Sequence, residues 1–409
     1  MSTGPLHEAA RHESLTPTPW DEAAARAAIT SLVVDIEAAA IDEGLRWPVH
    51  PLDDEGEKLA TGFKSLYLGS AGVLWALWLL QREGAVTLAR VDPAAAIAKL
   101  PAAYAAEPDT GTVVPSYFLG ESGIQLLLWR LTGDIAVADR LYACVESNIT
   151  NPTNEALWAA PGTMIAAWHL WRATAEPRWR SLYQANVDQL WRTWHDDAAT
   201  KGWLWTQDMY GRITQYLGAG HGFAGNAYAL LKAAPWLDEA RREQMLERCS
   251  ATLAVTAIHN AGAVNWPPMP DVPPGGRPKM LMQWCHGAPG VVTAFADYPT
   301  GRSPTLDALL LAAGEAIWRA GPLEKGAGVC HGTAGNGYAF LALHRRSGDR
   351  LWLDRARAFA MHAITQSRDS QEHHGRGRYT LWTGDAGVAV YLWHCLKGAG
   401  GLPALETLG

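Results

Sequence analysis

Three histidines stand directly before a glycine that opens an apolar stretch: His221 in GAGHGFAG, His286 in WCHGAPG and His331 in VCHGTAG. Two of them follow a cysteine, giving Cys285-His286-Gly and Cys330-His331-Gly. Thiolate and imidazole are donors that zinc prefers, and three protein donors leave a fourth position for substrate. One Cys-His pair says little. Two at equivalent places in a repeating chain would gather two thiols and three imidazoles at one mouth of a fold. The chemistry such a mouth supports is thiol activation, because a metal replaces the proton and leaves a thiolate near neutral pH. Trp284, beside Cys285, is the tryptophan expected to line the site.

Something must carry those residues to one place, and the chain repeats. A Gly-x-x-Gly pair followed by an apolar tail recurs at Gly69, Gly120, Gly222, Gly287, Gly332 and Gly384. A degenerate copy, AAPGTMIAAWHLW from Ala159, keeps only Gly162. Glycine frequency alone yields roughly 4 such pairs in a chain of this composition, so the weight lies in the shared tails and their regular recurrence. Each tail reads as a helix by its period of three to four, as in Leu74, Leu77 and Trp78. Between the tails lie second helical patterns with polar faces, such as RWRSLYQANVDQLWRTW. Strand signals are sparse. The repeat unit is therefore an outer amphipathic helix, a loop, a glycine pair and a more apolar inner helix. Glycine there permits positive φ in the turn and close backbone approach. Seven units suit an all-α (α/α)7 toroid of seven inner and seven outer helices, with an open solenoid as the alternative. The expected organisation is a mobile tail over residues 1–19 and a single domain over 20–409. The Pro-rich stretch from Asn265 to Pro278 reads as a loop that either walls the cavity or merely connects.

Composition narrows the function classes. The 409 residues carry 34 Lys and Arg against 41 Asp and Glu, a formal charge of −7, which argues against a nucleic-acid or anionic-membrane footprint. Five cysteines, an odd number, fit reduced thiols in a cytoplasmic protein better than a disulfide-stapled secreted scaffold. No basic segment followed by an apolar one opens the chain, and the apolar run near Ala71–Leu80 is too short to span a bilayer. Cys144, Cys249 and Cys395 read as packing thiols. His169, His344, His362 and His394 read as helix-face or core residues, and His373-His374 as a solvated loop.

QWCHGAPGVV and GVCHGTAGNGYAFL resemble the two most specific motifs of the lanthionine synthetase C-like proteins, and YLGAGHGFAG resembles a third. LYLGSAGVLWAL, NEALWAAPG and TLWTGDAGVAVYL fit the degenerate glycine repeats of that family. The resemblance runs from about Gly56 onward. It is closer to the eukaryotic-type branch than to lantibiotic cyclases, which usually have tyrosine at the place of His286. It implies an α/α toroid with one zinc held by Cys285, Cys330 and His331. It places the catalytic histidine at His221 and its acidic partner at Glu155. A lysine implicated in thiol-peptide binding falls on Lys325, and Tyr216 opens the His221 motif as a substrate-side residue. The anion-binding arginine before the last repeat falls on Arg376 or Arg378. Where the cyclases carry arginine before the zinc cysteine, this chain has Leu281, with Lys279 and Arg277 nearby.

The implied reaction is zinc-dependent addition of a thiol to dehydroalanine or dehydrobutyrine, with His221 or His286 as proton donor. Glutathione is the first choice of thiol, and a cysteine of the same peptide, giving a lanthionine ring, the second. Nothing in this chain could dehydrate serine or threonine, so a separate dehydratase or kinase would supply the acceptor. The paired Cys-His-Gly motifs count against a prenyltransferase subunit, and a toroid sugar epimerase or glycosidase would need paired carboxylates, for which Glu155 alone is thin support. A scaffold that only binds zinc and glutathione is the reading from a different class.

Overall fold

The computed structural model describes residues 2–15, 18–54, 61–270 and 279–409, so Arg277 and the end of the Pro-rich stretch lie outside the described residues. Among the described residues fourteen α-helices alternate in character. In chain order they begin α1 (Glu22–Ala38), α2 (Ser70–Arg82), α3 (Pro93–Ala106), α4 (Glu121–Thr132), α5 (Ala136–Ser147), α6 (Ala160–Thr174) and α7 (Pro177–Thr193). They continue as α8 (Phe223–Lys232), α9 (Glu239–Thr256), α10 (Ala288–Ala294), α11 (Pro304–Ala320), α12 (Thr333–Ser347), α13 (Arg350–His374) and α14 (Asp385–Lys397). The even-numbered helices are those that follow a glycine junction. They are buried nearly all round: α6 buries every residue from Ala160 to Leu170. The odd-numbered ones bury a single face, as α7 does with Trp179, Leu182, Tyr183, Asn186, Val187 and Leu190.

The two sets also start differently. Helices α1, α3, α9 and α11 are capped by Asp21, Asp92, Asp238 and Ser303, whose side chains accept backbone N–H bonds of the first turn. The helices after glycine have no such side-chain cap. Their own loops supply the acceptor instead. The first N–H donates to the carbonyl seven residues earlier: Ser70 to Phe63 (3.0 Å), Glu121 to Val114 (2.9 Å), Phe223 to Tyr216 (2.9 Å), Thr333 to Gly326 (2.9 Å) and Asp385 to Arg378 (2.6 Å). That folded-back loop explains the glycines better than positive φ does, since Gly69, Gly120 and Gly384 have extended φ. A Cβ on Gly225 would lie 2.3 Å from the Ala219 carbonyl oxygen, and one on Gly290 would lie 2.0 Å from that of Trp284. No side chain fits there.

The chain forms two compact units. One comprises Met1–Ser14, Val145–Gly321 and Ala342–Arg350. Within it α6 packs on α7 and α8, α8 on α10, and α10 on α11. This unit also holds short strands that the alternation of residues did not reveal. They are β1 (Ser2–Thr3), β2 (His195–Asp197), β3 (Gly202–Leu204), β4 (Gln207–Met209), β5 (Arg212–Thr214), β6 (Ile258–Asn260) and β7 (Ala263–Asn265). They pair as β1-β6-β7, β2-β3 and β4-β5. Part of the segment expected as a mobile tail is held here: Ser2 and Thr3 pair with Ile258 and His259.

The other unit comprises Leu15–Cys144, Pro322–Leu341 and Leu351–Gly409. In it α2 packs on α3 and α4, and α14 packs on both α1 and α2. Backbone bonds stitch its junctions in series: Cys330 N–H donates to the Trp382 carbonyl (2.7 Å), Trp382 to Tyr67 (3.3 Å) and Tyr67 to Phe118 (2.9 Å). The last repeat therefore meets the first, as the toroid requires and an open solenoid does not. All five cysteines are buried and none is in a disulfide, including the three expected to be packing thiols.

Candidate functional site

Glu155 lies in the loop before α6, His221 in the loop before α8, and Cys285 and His286 in the loop before α10. The structure brings these junctions together. Glu155 is fully buried and accepts from the Leu157 N–H (3.1 Å) and the Trp158 N–H (2.7 Å). Its Oε2 lies 3.0 Å from Nδ1 of His221. That contact leaves Nε2 as the ring atom of His221 able to exchange a proton with substrate. The imidazoles of His221 and His286 stack with centroids 5.4 Å apart, and the Tyr216 ring lies 6.3 Å from the first and 5.4 Å from the second.

The two histidines are pushed in opposite directions. Burial alone would lower His221, but the hydrogen bond and charge of Glu155, helped by Cys285, outweigh it and raise its pKa. His286 is lowered, first by burial and then by the charges of His221 and Lys279, against the pull of Cys285. One ring is thus suited to carry a proton and its neighbour to stay neutral.

Cys285 is set by the His221 loop. Gly220 N–H donates to the Cys285 carbonyl (3.3 Å), and a Cβ on Gly218 would stand 2.0 Å from that oxygen. Gln283 Nε2 donates to Cys285 Sγ at 3.0 Å, an interaction the motif reading missed, although a polar residue two positions before a buried cysteine is a readable sign. Asn265 was also missed. Fully buried, it donates to the Leu281 carbonyl (2.9 Å) and accepts from the Ala288 N–H (2.6 Å), bracketing the loop that carries Trp284, Cys285 and His286. Trp284 is 2% exposed.

Cys285 stands in the loop before α10 of the first unit, and Cys330, 4% exposed, stands with His331 in the loop before α12 of the second. Two thiolates and an imidazole with a fourth position left for substrate are a donor set that zinc takes, so the residues fit the metal the resemblance implies.

The expected substrate-side cations divide. Lys325 is exposed in the loop before α12, and Arg376 is exposed with Nη1 3.5 Å from the Val49 carbonyl. Arg378 is buried, and its guanidinium is engaged by Asp53, with Nε 2.9 Å from Oδ2 and a second contact from Nη2 to Oδ1. A paired guanidinium is not free to take a substrate anion, and Asp53 gave no sign of this from its distant place in the sequence.

Comparison with known proteins agrees with the motifs. Over 193 residues the chain is 33% identical to a Danio rerio protein named glutathione S-transferase LANCL1, covering 45% of this chain and 44% of that one. Over 191 residues it is 32% identical to the LanC-like protein GCL1 of Arabidopsis thaliana, covering 44% and 40%. The chain thus spans less than half the length of these relatives. Among solved structures nisin cyclase shares the fold, with a TM-score of 0.59 at 14% identity over 91% of this chain and 94% of that one. The family model for lanthionine synthetase C-like proteins matches residues 63–400, and the chain belongs to that family.

Proposed function

We propose that this protein adds a thiol, glutathione first, to dehydroalanine or dehydrobutyrine residues of peptides or proteins and forms a thioether. The observation that carries the reading is the His221–Glu155 pair, with a raised imidazole stacked on the lowered His286. Zinc bound by Cys285, Cys330 and His331 would keep a substrate thiol as thiolate near neutral pH.

The rest is work for the chain's own groups. The thiol sulfur bonds to the β-carbon, the π pair moves to the α-carbon, and His221 delivers a proton there from Nε2. The proton lost by the thiol restores His221, so one thiol and one alkene give one thioether. Glu155 holds His221 charged and oriented. His286, kept neutral, donates to the developing enolate oxygen. Tyr216 and Trp284 line the acceptor side, and Lys325 and Arg376 meet the carboxylates of glutathione. Arg378 drops out of that role because Asp53 occupies it.

The relative named a glutathione S-transferase favours glutathione as the thiol. The fold shared with nisin cyclase keeps ring closure by a peptide cysteine as the second reading. A separate dehydratase or kinase supplies the acceptor, and a cytoplasmic setting would hold the site thiols reduced. Mass spectrometry of a dehydroalanine peptide incubated with the protein and glutathione tests the reading. A thioether adduct above the uncatalysed background is expected, and its absence sinks the proposal.

A further inference from the structure

The β4–β5 hairpin begins and ends at the site. At its base Gln207, fully buried, accepts from the Tyr216 N–H (2.8 Å) and donates to the Trp205 carbonyl (3.0 Å). Asp208 N–H donates to the Pro152 carbonyl (3.0 Å), three residues before Glu155. At its tip Tyr210 and Ile213 are 76% and 64% exposed, large apolar groups left in water. The Tyr210 ring stands edge-on to Trp158 (5.7 Å, 89°), whose N–H donates to Glu155.

Two backbone features make this more than a bare patch. Met209 pairs with Arg212 across a turn in which Tyr210 has φ 56° and Gly211 φ 87°. Such a turn prefers asparagine at the first place, so tyrosine there is retained against its conformational preference. In that register Asp208 and Ile213 oppose each other as the non-hydrogen-bonded pair, and their backbone groups point outward. Pro152 satisfies the Asp208 N–H, whereas the outward edge at Ile213 has no backbone partner among the described residues.

We propose that this hairpin docks the peptide bearing the dehydroamino acid, which adds as an extended strand beside Ile213 and lays apolar side chains on Tyr210 and Trp158. Its ligand identity rests on the thiol-addition reading above. A strand edge recognises backbone amides, and the neighbouring rings give the preference for apolar residues flanking the reacting one. The dehydroamino acid then lies at the foot of the hairpin, where Tyr216 borders His221.

The probe is a fluorescent peptide with alanine in place of dehydroalanine and leucines on either side, titrated into full-length protein by anisotropy. The double variant Tyr210→Asn, Ile213→Thr keeps turn and strand preferences while removing the apolar groups. It should weaken binding about tenfold or more, and N-methylating the peptide backbone should do the same to wild type. Equal affinity for variant and wild type, or no binding to wild type, overturns the proposal. So does self-association of the protein through this edge that the variant abolishes. Adduct formation is read separately: its absence in wild type sinks the thiol-addition reading, while the binding titration still decides the docking.

Discussion

His221 and Glu155 differ in how far they could be read from sequence. His221 announces itself by standing before a glycine junction in the pattern of His286 and His331. Glu155 is 66 residues away from it, is placed as its partner only by the family resemblance, and lies 3.0 Å from its ring in the structure. Removing the imidazole separates an enzyme from a scaffold: His221→Ala should lower turnover about 10²- to 10⁴-fold while zinc content and glutathione binding stay as in wild type. Unchanged adduct formation by that variant would leave the acid role to another group, His286 first. The donor set has its own test. Metal analysis of Cys285→Ala and of Cys330→Ala should show loss of stoichiometric zinc, and zinc retained at one per chain would refute the assignment. Both cysteines were legible because they recur at equivalent junctions. Gln283 and Asn265, which orient the first of them, carry no repeat signature, and their partners are fixed only once the loops fold.

At the level of elements the helices were readable because each buries a face set by its own period, whereas the strands of two or three residues are too short to show alternation. The glycine pairs were visible, but the reason for them lay in the loop that folds back six and seven residues. That reason predicts unequal costs for identical substitutions. Gly225→Ala places a methyl 2.3 Å from the Ala219 carbonyl oxygen and 3.0 Å from the Ala156 Cβ, so the backbone itself must move. The expected loss is about 3 kcal/mol in denaturant unfolding. Gly348→Ala meets nothing within 4 Å and bears only its φ of 70°, a cost of about 1 kcal/mol. Equal losses at the two positions would mean that close approach does not select glycine at the junctions.

Over the whole molecule, what the sequence concealed are contacts between residues far apart in the chain. The α14 pattern by itself leaves open whether it packs on α2, as the expected toroid requires, or ends an open solenoid, and the polar, Pro-containing start of the chain reads as solvated. Yet Leu6 is 8% exposed, its carbonyl accepts from Asn265 Nδ2 (2.7 Å), the Gly4 carbonyl accepts from Asn260 (2.9 Å), and His12 Nδ1 lies 3.1 Å from the Gly321 carbonyl. Asn265 is the pivotal residue here, because the same side chain brackets the Cys285 loop through Leu281 and Ala288. An N-terminal segment that satisfies one arm of that amide therefore supports the Cys285 loop at a distance. Deleting residues 2–12 should remove about 2–4 kcal/mol of stability, seen as a fall of several degrees in Tm. Restoring only the hydrogen-bond balance, by Asn265→Ala in the truncated chain, should not recover it, because Ala288 and Leu281 then lose their partner as well. A truncated protein with wild-type Tm and wild-type zinc retention would show that the Cys285 loop stands without this brace.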